Sequence, residues 1–297
     1  MNGRMGIVSG RYRSSQTSDG AAQPQTVIEL FGRSEDGQSV CLLLHGLRPS
    51  FEVAPIGTWD VADGVPSFIE DRLAHVRAME HVVNVSGPVV KWTQLGERPV
   101  WNVEVEQPFH VPALRKTLKT RSWQIFSGDI PFVNRFFLDG DVGMHVSFTG
   151  EVVDRREEDG PVVKSEVINA GGGGRYNVDL TVRCDANQVV ASEPFQVPYT
   201  VLSFDLETSI EHETVLCAAA CVEHLGTGER HVVEYRGTES DILEGLTRTV
   251  QATDPDIITG YNIDNFDLPR LADRTAVLQR GRGWEGTNAL FGWGRAP

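Results

Sequence analysis

The apolar run Val-Leu-Ser-Phe-Asp-Leu-Glu-Thr carries two acidic residues, Asp205 and Glu207. Side chains alternate across a β-strand, so both carboxylates are predicted to project from one face while Phe204 and Leu206 project from the other. Paired carboxylate oxygens are the ligands that Mg²⁺ and Mn²⁺ prefer, which makes this strand a candidate metal site. The same pattern also fits an edge strand that runs into a turn at residues 207–209.

A second acidic stretch, residues 254–267, is predicted to form a short buried strand, a loop after Gly260 and the start of a helix. Pro269 fits only the first helical turn, where backbone N–H groups lack partners, so we expect the helix to begin near residues 265–266. Asp267 then lies in that first turn, where the helix dipole favours a negative charge. Its carboxylate can face a metal beside the strand ends, although such acids also cap helices routinely.

Together the two stretches resemble the first two exonuclease motifs of family B DNA polymerases. The first motif of that family is Asp-x-Glu on a strand, and the second is Asn-x-x-x-Phe-Asp, which occurs here from Asn262 to Asp267. The agreement extends over Ser-Phe-Asp-Leu-Glu-Thr at 203–208 and Gly-Tyr-Asn at 260–262. The resemblance implies an incomplete RNase H-like (DnaQ-like) fold for the second part of the chain, with 3′→5′ proofreading during DNA replication.

The resemblance also implies roles for individual residues. Asp205 would bridge two Mg²⁺ or Mn²⁺ ions, Glu207 would bind one of them and orient the attacking water, and Asp267 would bind the second ion. Asn262 would hold the DNA strand, primer-template or single-stranded, near the scissile phosphate. Phe266 is expected in the core. In such a site one metal activates water and the other stabilises the departing oxygen.

The third motif of the family, Tyr-x-x-x-Asp, does not occur after Asp267 in this sequence, where Asp273 is the only further aspartate. The polymerase palm, fingers and thumb are not found either. Three hypotheses follow from the sequence. The chain is a truncated or split polymerase product that is inactive without a second chain, a free-standing DNA-binding module, or a decayed gene fragment without function.

The charge balance is acidic, with a net charge of −14 and a pI near 5.0. Phosphate binding favours Lys and Arg, so this balance argues against a general nucleic-acid binder. A nuclease site is nevertheless acidic, because its metal ions invert the local charge. Abundant acids and scarce lysine predict a salt-loving source, and with the resemblance to the archaeal branch of the family this indicates a haloarchaeon. The lysines are Lys91, Lys116, Lys119 and Lys164.

The cysteines predict neither zinc binding nor disulfides. Cys41, Cys184, Cys217 and Cys221 include no Cys-x-x-Cys pair and no matching His spacing, so no zinc site is expected. Buried, reduced thiols in a cytoplasmic protein are the expected state. The sequence shows neither a signal peptide nor an apolar segment of membrane-spanning length, so no membrane partner is expected.

The hydrophobic pattern predicts an α+β / α/β fold, and the resemblance to family B DNA polymerases implies how its four parts are assigned. The acidic run 154–160 and the glycine tract 171–174 are expected in hairpin connections, and residues 27–45 in a hairpin around an Asp-Gly turn. The expected parts are a flexible N-terminal arm (1–25), a β-rich N-terminal domain with inserted hairpins (26–195), a truncated RNase H-like exonuclease domain (196–280) and an irregular C-terminal tail (281–297).

The exonuclease domain is predicted to run strand, strand, strand, helix, strand, helix, which is the RNase H-like order. The tail that follows is expected to be partly exposed. The predicted core of the domain comprises Phe204, Leu206, Val215, Leu216, Ile257, Ile258 and Leu268.

Two segments of the N-terminal domain resemble a pocket that the archaeal branch of the family uses to capture uracil in the template strand. A pocket of proline, aliphatic and aromatic groups can stack a flipped base while arginines hold phosphate. The alternative is plain packing of two short helices with both arginines solvated, and Gly128 stands where relatives often carry an aromatic residue. The matching positions are Val111, Pro112, Ile130, Pro131 and Phe132 for the base, with Arg115 and Arg135 for DNA.

Overall fold

The computed structural model describes residues 1–15, 25–57, 65–153, 177–282 and 293–294. Within them, fifteen strands form three sheets, and five α-helices accompany these sheets. The strands are β1 (Asn2–Ser15), β2 (Gln25–Ser34), β3 (Ser39–His45), β4 (Ser50–Pro55), β5 (Val82–Thr93), β6 (Gly96–Val105), β7 (Trp123–Phe126), β8 (His145–Thr149), β9 (Glu151–Val152), β10 (Leu180–Asp185), β11 (Val189–Ala191), β12 (Thr200–Thr208), β13 (Val215–His224), β14 (Glu229–Tyr235) and β15 (Ile257–Thr259). The helices are α1 (Ser67–Arg77), α2 (Val111–Thr120), α3 (Phe132–Asp139), α4 (Glu239–Thr253) and α5 (Asp267–Arg282).

The first sheet has the strand order β11-β8-β1-β2-β3-β10-β9. Strands β2 and β3 form the predicted antiparallel hairpin, and β10 adds to β3 in parallel. The apolar residues of these strands alternate, so one face of the sheet carries a continuous core that also receives Phe132 and Phe136 from α3. This mixed α/β organisation with a β-rich first part agrees with the predicted fold class. None of the helices in these segments is long and apolar enough to cross a membrane.

The first strand corrects the prediction of a flexible arm over residues 1–25. Residues 2–15 form β1, which pairs with β2 on one side and with β8 on the other. Met5 and Ile7 are buried, because alternate side chains of the strand face the core. The prediction rested on the polar composition of the segment, whereas strand pairing is stabilised by backbone hydrogen bonds and two apolar side chains.

The second sheet has the order β5-β6-β4-β7. Trp101 and Phe51 are fully buried at its centre, and α1 covers the sheet with the stripe Ile69, Leu73 and Val76. That stripe follows the i, i+4, i+7 spacing of one helix face, so burial of this face holds the helix on the sheet.

The third sheet has the order β14-β13-β12-β15, in which β15 alone runs parallel to its neighbour β12. Three strands, α4, β15 and α5 follow one another along the chain, in the predicted RNase H-like order. A capping box starts α4, because Asp241 N–H donates to Thr238 Oγ1 while the Asp241 carboxylate accepts from the backbone of Thr238. Ile242, Leu246 and Val250 of α4 then pack on the sheet.

The core of the third sheet differs in part from its prediction. Phe204, Leu206 and Val215 are buried as predicted, and Ile258 packs against them partly buried. The predictions for the other three residues are wrong: the structure leaves exposed Leu216, Ile257 and Leu268. Leu216 alternates with the buried Val215 on β13, and Ile257 alternates with the partly buried Ile258 on β15. The core position on α5 is taken instead by the fully buried Leu271.

Several predictions concern segments on the margin of the described residues. The acidic run 154–160 and the glycine tract 171–174 lie outside the part of the chain that the structure describes, and so does most of the tail. Within the tail, α5 continues to Arg282, so residues 281–282 are helical and not irregular. Trp293 contacts Phe204 with ring centroids 5.7 Å apart and donates to Thr247 Oγ1 at 3.3 Å, so it is held against the third sheet.

Candidate functional site

Strand β12 presents the two predicted carboxylates on one face. Phe204 and Leu206 are buried in the core below the strand, whereas Asp205 and Glu207 project from the opposite face and are exposed. The alternation follows directly from the two-residue period of a strand. The strand is central in its sheet, between β13 and β15, so the interpretation as an edge strand is wrong.

Gly260 brings the second acidic stretch against this strand. A Cβ atom at this position would lie 2.6 Å from the backbone oxygen of Phe204. Only glycine therefore allows the loop after β15 to approach the backbone of β12 so closely. The loop then turns at Asn262, whose φ of 54° is left-handed, and Ile263 anchors it in the core. The turn closes with N–H groups of Asn265 and Phe266 donating to the oxygen of Asn262.

Asp267 is the first residue of α5 and lies almost completely buried, with 2% of its surface exposed. Its Oδ1 atom is buried and has no hydrogen-bond partner within the protein. Burial and the neighbouring Asp205 carboxylate raise the pKa of Asp267, although the backbone N–H groups of Asp267 and Leu206 act in the opposite direction. A buried carboxylate beside a second carboxylate is an arrangement that a cation stabilises.

The structure thus brings Asp267 beside Asp205, while Glu207 lies two residues along on the same face of β12. The three carboxylates do not form a tight cluster: among the described residues, the one group of three ligand atoms within 4.8 Å of one another lies elsewhere, at His81, Glu106 and His110. Mutual repulsion of carboxylates favours such a separation. The donor set consists of carboxylate oxygens only, which fits Mg²⁺ or Mn²⁺.

Two aromatic residues of the loop beside the acidic site are exposed, although one of them was expected in the core. Phe266, predicted in the core, has an exposed ring that lies under Arg270, with 5.8 Å from the guanidinium carbon to the ring centroid. Tyr261 is 93% exposed and lies next to Asn262, which is exposed as well. Sequence reasoning included Tyr261 in the motif match but gave it no role, although an exposed aromatic ring can stack on a base.

Arg115, one of the two arginines predicted beside the base pocket, contacts Gly128. A Cβ atom at Gly128 would lie 2.7 Å from Cδ of Arg115, and Arg115 Nη1 donates to the oxygen of Gly128 at 2.7 Å. The Arg115 side chain therefore occupies the space beside residue 128. Of the pocket residues, Pro112 and Pro131 are exposed, Val111 and Ile130 are partly buried, and Phe132 is buried.

Arg135, which the second alternative for these segments placed in solvent, is instead buried in the fold. It forms a two-fold contact with Glu52, with both N–O distances 3.2 Å, and its Nε lies 2.8 Å from Asp139. Burial acts to lower the pKa of Arg135, but the hydrogen bond and charge of Glu52 raise it overall. This arginine therefore joins α3 to β4 inside the fold.

The comparisons with known proteins relate the second part of the chain to a polymerase family. Residues 209–295 match the family model described as "DNA polymerase family B, exonuclease domain", an interval that includes Asn262 and Asp267. The DNA polymerase delta catalytic subunit of Mesocricetus auratus is 25% identical over 306 residues, covering 85% of this chain and 26% of the relative. DNA polymerase 2 of Aeropyrum pernix is 25% identical over 266 residues, covering 85% of this chain and 30% of the relative.

The fold is similar to that of a solved polymerase. The structure of the family B DNA polymerase from the hyperthermophilic archaeon Pyrobaculum calidifontis superimposes with a TM-score of 0.60 and 21% sequence identity, covering 93% of this chain and 32% of that one. This likeness extends over nearly the whole chain and shows the fold. The chain spans only about a quarter to a third of the length of the proteins that it matches.

Proposed function

We propose that this chain, which carries the exonuclease-domain portion of a family B DNA polymerase, takes part in two-metal 3′→5′ hydrolysis of DNA during replication and proofreading. In this proposal residues 26–195 are the N-terminal domain, residues 196–280 are the exonuclease domain, and DNA is the partner. A complete site receives a further ligand from outside these 297 residues, either on a continuation of the chain or on a second chain. The site would operate in an archaeal cytoplasm of high salt.

The observation that carries the proposal is the buried Oδ1 atom of Asp267. A carboxylate oxygen without a hydrogen-bond partner is costly inside a protein, and the Asp205 carboxylate beside it adds repulsion. A divalent cation held by Asp205, Glu207 and Asp267 satisfies that oxygen and removes the repulsion. The bound ions would supply an activated water and stabilise the departing 3′ oxygen.

The chain's own residues account for the position of the DNA strand. Asn262 and Tyr261 are exposed on the loop that leads from β15 to α5, next to the acidic face of β12. The amide of Asn262 can hydrogen-bond a phosphate or sugar, and the ring of Tyr261 can stack on a base. We assign both residues to the 3′-terminal nucleotides of a single strand.

The first test measures metal binding directly, by electron paramagnetic resonance of Mn²⁺ with the full chain. We expect Mn²⁺ binding in the wild type and its loss in Asp205→Asn and Asp267→Asn. Asp264→Asn is the matched control, because Asp264 is an exposed acid of the same loop with no assigned ligand role. Undiminished Mn²⁺ binding in both site variants would contradict the proposal.

The second test measures cleavage of a 5′-labelled single strand with Mn²⁺ at low and high salt. We expect little or no cleavage by this chain alone, because the third exonuclease motif is not among its 297 residues. Cleavage should appear after addition of a chain that carries Tyr-x-x-x-Asp, and Asp205→Asn should abolish it.

A non-catalytic DNA-binding role is the second candidate, and one surface favours it. Helix α2 and the residue after it carry exposed Lys116, Lys119 and Arg121 in a chain of net charge −14. Clustered cations on one helix bind phosphates even when the whole protein is acidic. Template-uracil sensing would be part of this DNA-binding role. Equal binding of uracil-containing and thymine-containing templates would exclude uracil sensing.

A further inference from the structure

A cluster of three side chains beside the second sheet has the composition of a transition-metal site. His81, Glu106 and His110 each offer a ligand atom, and these atoms all lie within 4.8 Å of one another. His81 Nδ1 is 2.9 Å from Glu106 Oε2, and the rings of His81 and His110 stack with their centroids 3.6 Å apart. All three residues are partly buried, so the cluster is both held by the fold and accessible from solvent.

The backbone positions two of these residues opposite each other. His81 immediately precedes β5 and Glu106 immediately follows β6, so they flank the last residue pair of this antiparallel hairpin, Val82 and Val105. Glu106 N–H donates to the oxygen of His81 at 3.0 Å, which extends the ladder by one step. His81 has a φ of 67°, a left-handed conformation that residues other than glycine rarely adopt.

The third residue is fixed by a short turn. His110 ends the 3₁₀ turn Pro108–His110 directly before α2, and its N–H donates to the oxygen of Gln107 at 3.1 Å. A fourth side chain, the acid Glu80, lies at the edge of the group, with its Oε1 3.7 Å from His81 Nε2. Three separate points of the chain therefore converge at one end of the hairpin.

We propose that His81, Glu106 and His110 bind Zn²⁺. Two imidazoles and one carboxylate form a donor set that Zn²⁺ accepts in tetrahedral geometry, with the fourth position left to water. Imidazole nitrogen favours Zn²⁺ over Mg²⁺, whereas the acidic site of β12 offers oxygen alone. The two sites are thus distinguished by ligand chemistry as well as by position.

Zn²⁺ binding requires a small rearrangement of the cluster. Zinc lies about 2.0–2.1 Å from its nitrogen and oxygen ligands, so ligand atoms of a tetrahedral site are separated by roughly 3.4 Å. The two imidazole rings are nearly parallel, with 11° between their planes, and one ring must turn before both nitrogens face the same point. Loss of the ring stack is therefore a specific signature of the bound state.

This proposal replaces the expectation of no zinc site. That expectation rested on the spacing of cysteines and histidines along the chain, which detects ligands that one loop or helix contributes. Here His81 is separated from Glu106 by the whole β5-β6 hairpin, so only the pairing of these strands brings the ligands together. Bound zinc would clip the end of α1 and the start of α2 to the same end of the hairpin.

The test is a competition titration of the chelator-treated full chain with Zn²⁺ and a chromophoric chelator. We expect one tight Zn²⁺ site that Mg²⁺ does not compete for. His81→Asn and His110→Ala should each weaken Zn²⁺ binding at least roughly 10–100-fold, since loss of an outer-shell partner alone has that effect. Asparagine suits position 81 because it tolerates the left-handed backbone. Ring proton signals of His81 and His110 should shift on binding as the stack opens.

Two control variants separate this site from others. His231→Ala removes an exposed histidine that lies 3.0 Å from Glu229. The described part of the chain supplies no third ligand to this pair, so the substitution should leave Zn²⁺ binding unchanged. Asp267→Asn should also leave it unchanged, because that residue belongs to the acidic site. Tight Zn²⁺ binding that survives both His81→Asn and His110→Ala, or that Asp267→Asn abolishes, would overturn the proposal, as would no tight binding by the wild type. Circular dichroism checks that each variant is folded. Glu106→Gln removes the third proposed ligand and should also weaken Zn²⁺ binding.

Discussion

Arg33 Nε donates to Asp256 Oδ2 at 2.7 Å, and this contact joins β2 of the first sheet to the residue that precedes β15. The same carboxylate oxygen accepts the backbone N–H of Thr200 at 2.8 Å, at the start of β12. Arg33 also donates to the backbone oxygen of Asp254 at 2.9 Å. One buried carboxylate thus connects the first sheet with β12, which carries Asp205 and Glu207, and with β15, which precedes the loop to Asp267.

The contact predicts a large effect of Asp256→Asn on stability. Removing one charge of a buried pair leaves the other uncompensated, so we expect the free energy of unfolding to fall by about 3 kcal/mol. Asp254→Asn is the matched control, because that carboxylate is more exposed and should contribute less than about 1 kcal/mol. Urea unfolding followed by fluorescence measures both, and equal effects of the two substitutions would contradict the assignment.

Gly260→Ala should destabilise the loop between β15 and α5. The added Cβ would lie 2.6 Å from the backbone oxygen of Phe204, which cannot move without shifting β12. We expect a loss of about 1–3 kcal/mol and weaker Mn²⁺ binding, because Asp205 follows Phe204 directly. Gly143→Ala provides the control, since its Cβ would meet no atom within 4 Å. A Gly260→Ala protein with unchanged unfolding and metal binding would show that the loop can withdraw.

Glu52 should make the protein sensitive to acid. Burial acts to raise the pKa of Glu52, but hydrogen bonds from Lys91 and Arg135 lower it overall from its ordinary value of 4.5. Since the folded-state pKa lies below the unfolded value, the stabilisation is present above about pH 4.5 and is lost as pH falls through the folded value. The melting temperature should therefore fall more steeply below pH 4.5 in the wild type than in Glu52→Gln. Parallel pH profiles of the two proteins would refute this role.

Arg135 and Lys116 should have different effects when each is replaced by methionine. Arg135→Met should lower the free energy of unfolding by about 3–5 kcal/mol, because it breaks a buried ion pair. Lys116→Met should leave stability within about 0.5 kcal/mol, because the side chain is exposed. Lys116→Met should instead weaken DNA binding. The slope of log affinity against log salt concentration should become smaller in magnitude by about one. If Arg135→Met weakened DNA binding and left stability unchanged, Arg135 would be a phosphate contact after all.

Local pattern was sufficient to predict the acidic face of β12, which follows from the two-residue period of a strand. The position of Asp267 in the first turn of α5 followed from Pro269, because proline fits only that turn. The exposure of Leu216 and Ile257 was missed because an apolar run does not reveal which of its faces a helix covers. The ion pair of Arg135 could not be predicted either, since Glu52 lies far away in sequence. Composition led to a wrong prediction for β1, because a polar sequence indicated a flexible arm. The backbone hydrogen bonds of a paired strand do not depend on side-chain polarity.

The strand order of the first sheet has a consequence for synthesis on the ribosome. Strands β1, β2 and β3 are translated before β8 and β10. Strand β1 therefore lacks its partner β8, and β3 lacks its partner β10, in which Leu180 pairs with Val40. Until that part of the chain is translated, both edges of the nascent three-stranded fragment expose unpaired N–H and C=O groups. Such edges pair readily with other chains, so fast overexpression favours aggregates, and slower translation or a bound chaperone favours the native sheet.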